Sequence, residues 1–264
     1  MTKIYGHRGA KGSYPENTLL SFKKAIDQGV DGLELDVHLT KDGEVVVIHD
    51  ETLDRTTNGI GEIRELTLEE IKQVSAGSPF AHLPDYHEAW ELEKVPTLQE
   101  VLELMAPYPT ELNIELKTYA ASYKGIEEKV QSIVEKCGND RKVVYSSFHL
   151  PSLLRMKKVN PEAHIAWLLN EEISLPADYI ETLDFEALHL NKKIILSKKV
   201  GHSIRKTLHE DNTMSLKGLY EQVRVWTVND PDQIGRLLEL QVNAIITDFP
   251  ERAIALRNKR EAMV

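Results

Sequence analysis

Gly32-Leu33-Glu34-Leu35-Asp36-Val37, with Thr40-Lys41-Asp42-Gly43 and Val45-Val46-Val47-Ile48-His49 behind it, is two strand-like runs joined by a tight turn. A parallel pair needs a crossover of about a dozen residues or more, so the second run must fold back antiparallel on the first. Residues 45–49 are therefore read as the return arm of a hairpin that projects from the strand at 32–37. Outward from this hairpin, further β-rich runs fall at 4–7, 112–116, 142–146, 164–168, 186–188, 224–228 and 243–247. With the return arm set aside, eight strands remain, the number that closes a parallel barrel.

Helix-like segments separate these strands. Residues 18–28 carry Leu19, Phe22, Ala25 and Ile26 at helical spacing and stop near Gly29. Residues 123–137 repeat the pattern with Ile126, Val130, Ile133 and Val134, and segments at 151–159 and 231–240 open on proline, which a first helical turn accepts. The alternation predicts an α/β fold, a TIM (β/α)8 barrel. An open doubly wound sheet is the competing architecture, but no G-x-G-x-x-G or P-loop pattern follows any strand. The span 51–109 is too long for an ordinary loop. It holds a turn at Asn58-Gly59, capped helix starts at Thr67-Leu68-Glu69-Glu70 and Thr97-Leu98-Gln99-Glu100, and a Gly77-Ser78-Pro79 patch. We expect one barrel domain over 1–264 with a small insertion at about 51–95, and a charged helix over 252–260.

Composition narrows the function. Of 264 residues, 41% are apolar, enough to fill a core without crosslinks, and the lone cysteine, Cys137, excludes an intrachain disulfide and a thiolate metal cluster. Its place before Gly138 suits a quiet helix end. Met1-Thr2-Lys3-Ile4-Tyr5 leads directly into a strand, with no apolar stretch of roughly 7–15 residues behind a basic end. No apolar run approaches the ~18 residues of a membrane span. These features predict a cytoplasmic protein without stable membrane insertion. The formal charge of -10 disfavours a broad grip on nucleic acid.

Acids, bases and histidines gather at expected strand ends, where barrel active sites lie. His7 and Arg8 close the first strand, Glu34 and Asp36 the second, Glu115 and Lys117 the third in the barrel, and Thr247-Asp248 the last. Residues two apart on a strand point the same way, so Glu34 joins Asp36 in one cavity, and Glu115 joins Lys117. Three carboxylates with no fitting His/Cys cluster suit a hard divalent cation, magnesium or calcium, held through oxygen. The bland reading makes each acid a separate ion-pair partner. The turn brings His49 roughly opposite Asp36 at the mouth that His7 overlooks, a natural general acid and base. His38, His82, His87, His164, His202 and His209 read as structural or surface residues, and His189 is open. Arg8 suits bidentate contact to a phosphate and Lys117 adds a point charge, although both could simply pair with the acids. Trp226 reads as core or as ligand wall, and Asn229-Asp230-Pro231 as a helix cap.

In order along the chain stand His7-Arg8-Gly9-Ala10, Pro15-Glu16-Asn17-Thr18, Gly32-Leu33-Glu34-Leu35-Asp36-Val37, Thr40-Lys41-Asp42-Gly43, Val47-Ile48-His49-Asp50 and Leu53-Asp54-Arg55-Thr56-Thr57. Pro96-Thr97-Leu98, Asn113-Ile114-Glu115-Leu116-Lys117, Trp226-Thr227-Val228-Asn229 and Ile246-Thr247-Asp248-Phe249-Pro250 follow. This series, from Ile4 to Pro250, resembles the glycerophosphodiester phosphodiesterase family. The resemblance implies a TIM barrel with an insertion after its second strand and one divalent metal ion, Mg2+ or Ca2+, on Glu34, Asp36 and Glu115. It implies His7 and His49 as the acid/base pair, Arg8 and Lys117 as phosphate-binding cations and Trp226 as a site wall. The expected reaction takes a small glycerophosphodiester to an alcohol and glycerol 3-phosphate, through a cyclic phosphate or by direct water attack. A lysophospholipase D-like activity is the nearest rival. It would use an apolar groove from Phe80, Leu83, Tyr86 and Trp90, which equally suit packing of the insertion on the barrel. A non-catalytic binding module is a further rival, and no motif residue is degraded to support it.

Overall fold

The computed structural model describes residues 1–196, 218 and 222–262; His202 and His209 lie outside them. The expected barrel is present. β1 (Lys3–His7), β2 (Gly32–Leu39), β4 (Glu111–Leu116), β5 (Val143–Ser147), β6 (His164–Leu169), β7 (Ala187–Asn191), β8 (Val223–Trp226) and β9 (Ala244–Thr247) pair in parallel, and the pairing of β1 with both β2 and β9 closes the ring. The extra strand, β3 (Val45–Val47), runs antiparallel on β2, as its short turn requires. Gly43 turns the corner at φ 79°, a left-handed conformation that favours glycine.

Alternation along each strand sorts its side chains. Leu33, Leu35, Val37, Leu112, Ile114 and Leu116 join the main apolar core with Phe22, Ala25 and Ile26 of α1 (Leu19–Asp27). Glu34, Asp36, Asn113 and Glu115, on the alternate positions, turn to the barrel interior. The interior also holds small apolar groups, Val144 with Ala166 and Ala187, and Tyr5 with Ala244, Ile246 and Trp226.

The span after β3 carries α2 (Leu68–Gln73) and leads to α3 (Leu98–Met105). Thr67 with Glu70 and Thr97 with Glu100 form the two expected capping boxes. Val46, Ile48, Leu53, Ile63, Ile71, Ala76 and Val95 make a second, smaller core under this span. Trp90 is buried and its ring stands 5.5 Å from that of Tyr14, so one of the four groove candidates packs the span onto the barrel.

Beyond β4 the helices are α4 (Ile126–Cys137), α5 (Leu150–Val159), α6 (Pro176–Leu183), α7 (Lys192–Leu196), α8 (Pro231–Leu240) and α9 (Pro250–Glu261). Several boundaries differ from the sequence expectation, most by one or two residues. α4 starts at Ile126 because Gly125 precedes it at φ 83°, and the Tyr123 hydroxyl instead donates to His38 Nδ1. β7 extends to Asn191, β8 stops at Trp226 and β3 stops at Val47. None of the described helices is long and apolar enough to cross a membrane.

Candidate active site

At the C-terminal ends of β2 and β4, Glu34, Asp36 and Glu115 each offer a carboxylate oxygen within 4.8 Å of the other two. All three residues are buried. Crowding of like charge away from water is costly. Burial, with repulsion from Asp36 and Glu115, raises the Glu34 carboxyl well above its ordinary range. Burial likewise pushes Glu115 up to about 7. Burial acts on Asp36 too, but the neighbouring Arg8 and Lys117 charges outweigh it and hold Asp36 low. Asp36 Oδ1 accepts no hydrogen bond among the described residues. An all-oxygen set with an unserved buried oxygen and a proton-retaining neighbour fits a hard divalent cation.

Two cations flank the acids. Arg8 sits just past β1 at φ 53°. Its backbone N–H donates to Glu34 Oε2 at 3.1 Å, its Nη1 donates to Glu16 Oε1 at 2.8 Å, and its Nε lies 3.1 Å from Asp36 Oδ2. Lys117 Nζ donates to Glu115 Oε1 at 3.0 Å and stands 3.7 Å from Asp36 Oδ1. The same ammonium donates to His49 Nε2 at 3.1 Å.

The histidines enter from two sides. His7 Nδ1 donates to Asp248 Oδ1 at 2.6 Å, and its Nε2 lies 3.9 Å from Glu34 Oε2. Asn229 Nδ2 donates to the other Asp248 oxygen at 2.7 Å, while Asn229 Oδ1 accepts from the Asp248 backbone at 3.0 Å. His49 Nδ1 faces Asp50 Oδ1 at 2.6 Å. Burial lowers the pKa of both rings, which favours neutral imidazole.

The hairpin register needs one correction. Val37 pairs with Val47, and the Ile48 N–H donates to the Asp36 carbonyl at 3.1 Å, so Ile48 stands opposite Asp36 and His49 lies one residue beyond. Strict alternation would have turned His49 away. β3 has ended by then, and His38, buried on β2, bonds the His49 carbonyl through Nε2 at 3.1 Å. That released backbone lets His49 reach Lys117.

Seven of the eight expected site residues thus connect: His7, Arg8, Glu34, Asp36, His49, Glu115 and Lys117. The Trp226 side chain, on β8, forms no hydrogen bond with these seven among the described residues; it donates through Nε1 to the His189 carbonyl at 2.9 Å and meets Phe148 edge-on at 5.6 Å between ring centroids. Sequence reasoning assigned no site role to Glu16, Asn17, Asp50, Arg55, Phe148, Asn229 or Asp248. Most stood inside the quoted motifs, which was the available signal. Asn17, at φ 56°, donates to Asp36 Oδ2 at 3.0 Å. Asp230 caps α8 as expected, but Asn229 belongs to the site. His189 is wholly buried, and neither ring nitrogen has a hydrogen-bond partner among the described residues.

Comparison with known proteins identifies the family. The model of the glycerophosphoryl diester phosphodiesterase family matches residues 7–252. A glycerophosphodiester phosphodiesterase of Bacillus altitudinis is 41% identical over 98% of this chain and 99% of its own. One from Caldanaerobacter subterraneus subsp. tengcongensis is 38% identical over 98% of both chains. Among solved structures, an Oleispira antarctica phosphodiesterase in complex with its product sn-glycerol-3-phosphate superposes with a TM-score of 0.81 at 28% identity, covering 98% of this chain and 97% of that one. The chain therefore belongs to the glycerophosphoryl diester phosphodiesterase family and is a glycerophosphodiester phosphodiesterase.

Proposed function

We propose that this enzyme uses one divalent metal ion, Mg2+ or Ca2+, on Glu34, Asp36 and Glu115, with His7 and His49 as its acid/base pair, to release an alcohol and glycerol 3-phosphate. Residues 1–264 act as one barrel domain with 51–95 as an insertion. The observation that carries this reading is the position of Lys117, whose ammonium touches Glu115 and His49 at once. It supports the reading because Lys117, the acidic cluster and His49 meet at one point, where a cation, a metal and a proton acceptor would have to act together. The bound ion would supply positive charge at the phosphodiester oxygens.

The protein's own groups do the rest. Arg8 and Lys117 exchange carboxylate contacts for contacts to phosphate oxygens and offset the charge that grows as the attacking oxygen bonds to phosphorus. One histidine takes the proton from that oxygen. The other gives a proton to the departing alcohol oxygen as its bond to phosphorus breaks. Lysine is purely a donor, so its contact with His49 Nε2 marks that nitrogen as a lone pair and favours His49 as the acceptor. Asp50 holds the His49 ring with its proton on Nδ1, as an acceptor at Nε2 requires, whereas His7, whose Nδ1–H is held by Asp248, gives a proton from Nε2 only as the imidazolium, which the Asp248 carboxylate favours. Trp226 and Phe148 form an aromatic wall for the diester.

The test is release of glycerol 3-phosphate from glycerophosphocholine by a metal-stripped sample, with magnesium and calcium restored one at a time. Recovery with either ion is the expected result. Strong preference for a long-chain lysolipid would overturn the substrate assignment, and undiminished turnover after stripping would overturn the metal.

A further inference from the structure

We infer that Arg55, carried by the span after β3, is a positioning residue that sets the His49 ring and the Arg8 guanidinium together. The inference rests on the roles proposed above for those two residues. Arg55 Nε donates to Asp50 Oδ2 at 2.6 Å and its Nη2 to Asp50 Oδ1 at 2.9 Å. On the other side Nη1 donates to Glu16 Oε2 at 3.0 Å and Nη2 to Glu16 Oε1 at 2.8 Å. All but one of its N–H donors are engaged, and each carboxylate is gripped by both oxygens.

Each carboxylate then passes the constraint inward. Asp50 Oδ1 faces His49 Nδ1 at 2.6 Å, and Glu16 Oε1 accepts from Arg8 Nη1 at 2.8 Å. The line His49–Asp50–Arg55–Glu16–Arg8 therefore joins a residue after the hairpin to one after β1. Arg55 is half exposed, whereas the Glu16 side chain is 3% exposed. Hydrogen bonds from Arg55 are the leading influence that holds Asp50 low, and its bonds to Glu16 and Asp50 raise Arg55 in turn. Only a planar fork of donors can hold two carboxylates in this way. The compact ammonium of lysine cannot.

Two consequences are separable. Without the fork Asp50 is free to turn, and the His49 ring loses its fixed angle, so turnover falls. Glu16, no longer shared, places its whole charge on Arg8 and competes with the substrate phosphate, so KM rises. Arg55→Lys keeps the charge and removes the fork. It should lower kcat by about 10–100-fold, as misplacement of an acid/base group does, and raise KM several-fold. Arg55→Ala should lie within a few-fold of the lysine variant.

Asp50→Asn should lower kcat less in the Arg55→Lys background than in the wild type, because both changes cut the same line. Thermal melting of each variant separates loss of fold from loss of position; if the alanine variant does not fold, the lysine variant and the cycle decide. Wild-type kcat and KM in Arg55→Lys would overturn the inference, as would fully multiplicative losses in the cycle. A wild-type enzyme that releases no glycerol 3-phosphate with either metal would instead sink the functional reading beneath it.

Discussion

Lys117 and His49 meet at 3.1 Å, ammonium to ring Nε2, while the ring's other nitrogen is taken by Asp50. The contact makes Nε2 an acceptor in the resting protein. With His49 proposed for proton transfer and not for ligation, His49→Ala should lower turnover by roughly 10²–10⁴-fold. Metal affinity, measured by calorimetric titration, should stay near the wild-type value. A variant that is inactive only because it no longer holds metal would make His49 a ligand.

Lys117 also tunes that ring. Burial is the largest influence lowering the His49 pKa; the charges of Arg8 and Lys117 lower it further, and Asp36 opposes them. Removing Lys117 takes away a like charge and favours the imidazolium, so His49 must lose its proton at higher pH to serve as acceptor. Lys117→Met should therefore move the ascending limb of the kcat profile to higher pH and cut kcat/KM. A limb unmoved by the substitution would assign it to another group.

Glu34→Gln, Asp36→Asn and Glu115→Gln should each weaken metal binding with little change of fold. The metal-free proteins carry a second signature. Burial raises Glu115 to about 7, above the usual glutamate range, so the folded state holds a proton that the unfolded state has released. That contribution is present below about pH 4.5 and is lost as pH rises through about 7. At pH 8, metal-free Glu115→Gln should exceed the metal-free parent in stability by about 1–3 kcal/mol by chemical denaturation. Equal metal affinity in all three variants would refute the carboxylate site.

Asp248 should matter as much for His7 as Asp50 does for His49. Its carboxylate takes the Nδ1 proton at 2.6 Å, which leaves Nε2 to face the cluster. An amide can donate to Nδ1 and so stabilise the opposite tautomer. Asp248→Asn should then reduce turnover by roughly 10²-fold or more, with unchanged melting temperature and metal affinity. Near-normal turnover would free His7 from this requirement.

His189 offers a prediction about stability, independent of catalysis. Burial lowers its pKa well below the ordinary value, and the Arg224 charge adds to the effect. The unfolded chain therefore binds a proton here that the folded protein refuses. The stability involved is fully present above about pH 6.5 and is lost as pH falls below it. His189→Asn should flatten the acid slope of unfolding free energy between about pH 6.5 and 5. An unchanged slope would place the proton uptake elsewhere.

The barrel was legible because its signals are local and periodic. Glu34-Leu35-Asp36 states by alternation alone that two acids share a face, and the four-residue turn after the first hairpin strand forces the antiparallel arm. Register was less legible: the position of His49 depends on where β3 lets go of β2, which the hydrogen bond of His38 to the His49 carbonyl helps decide. The partners of the histidines were hidden for another reason. Asp248 is 241 residues from His7, and Glu16 is 39 from Arg55, so nothing in the local pattern joins them. Closure of the ring brings the first pair together, and docking of the span after β3 brings the second.

The two apolar cores have a consequence for how this enzyme fails. His7, Glu34, Asp36 and Glu115 ride on strands of the larger core, while His49 and Arg55 flank residues of the smaller one, which has seven buried side chains. A small cluster opens at lower free energy than a large one. Heating should first undock the smaller unit, so that inactivation runs ahead of melting and a cooled sample recovers from an intact barrel. The smaller core would then act as a fuse that spares the stronger, an outcome checked by comparing residual activity with the melting curve and with activity after cooling.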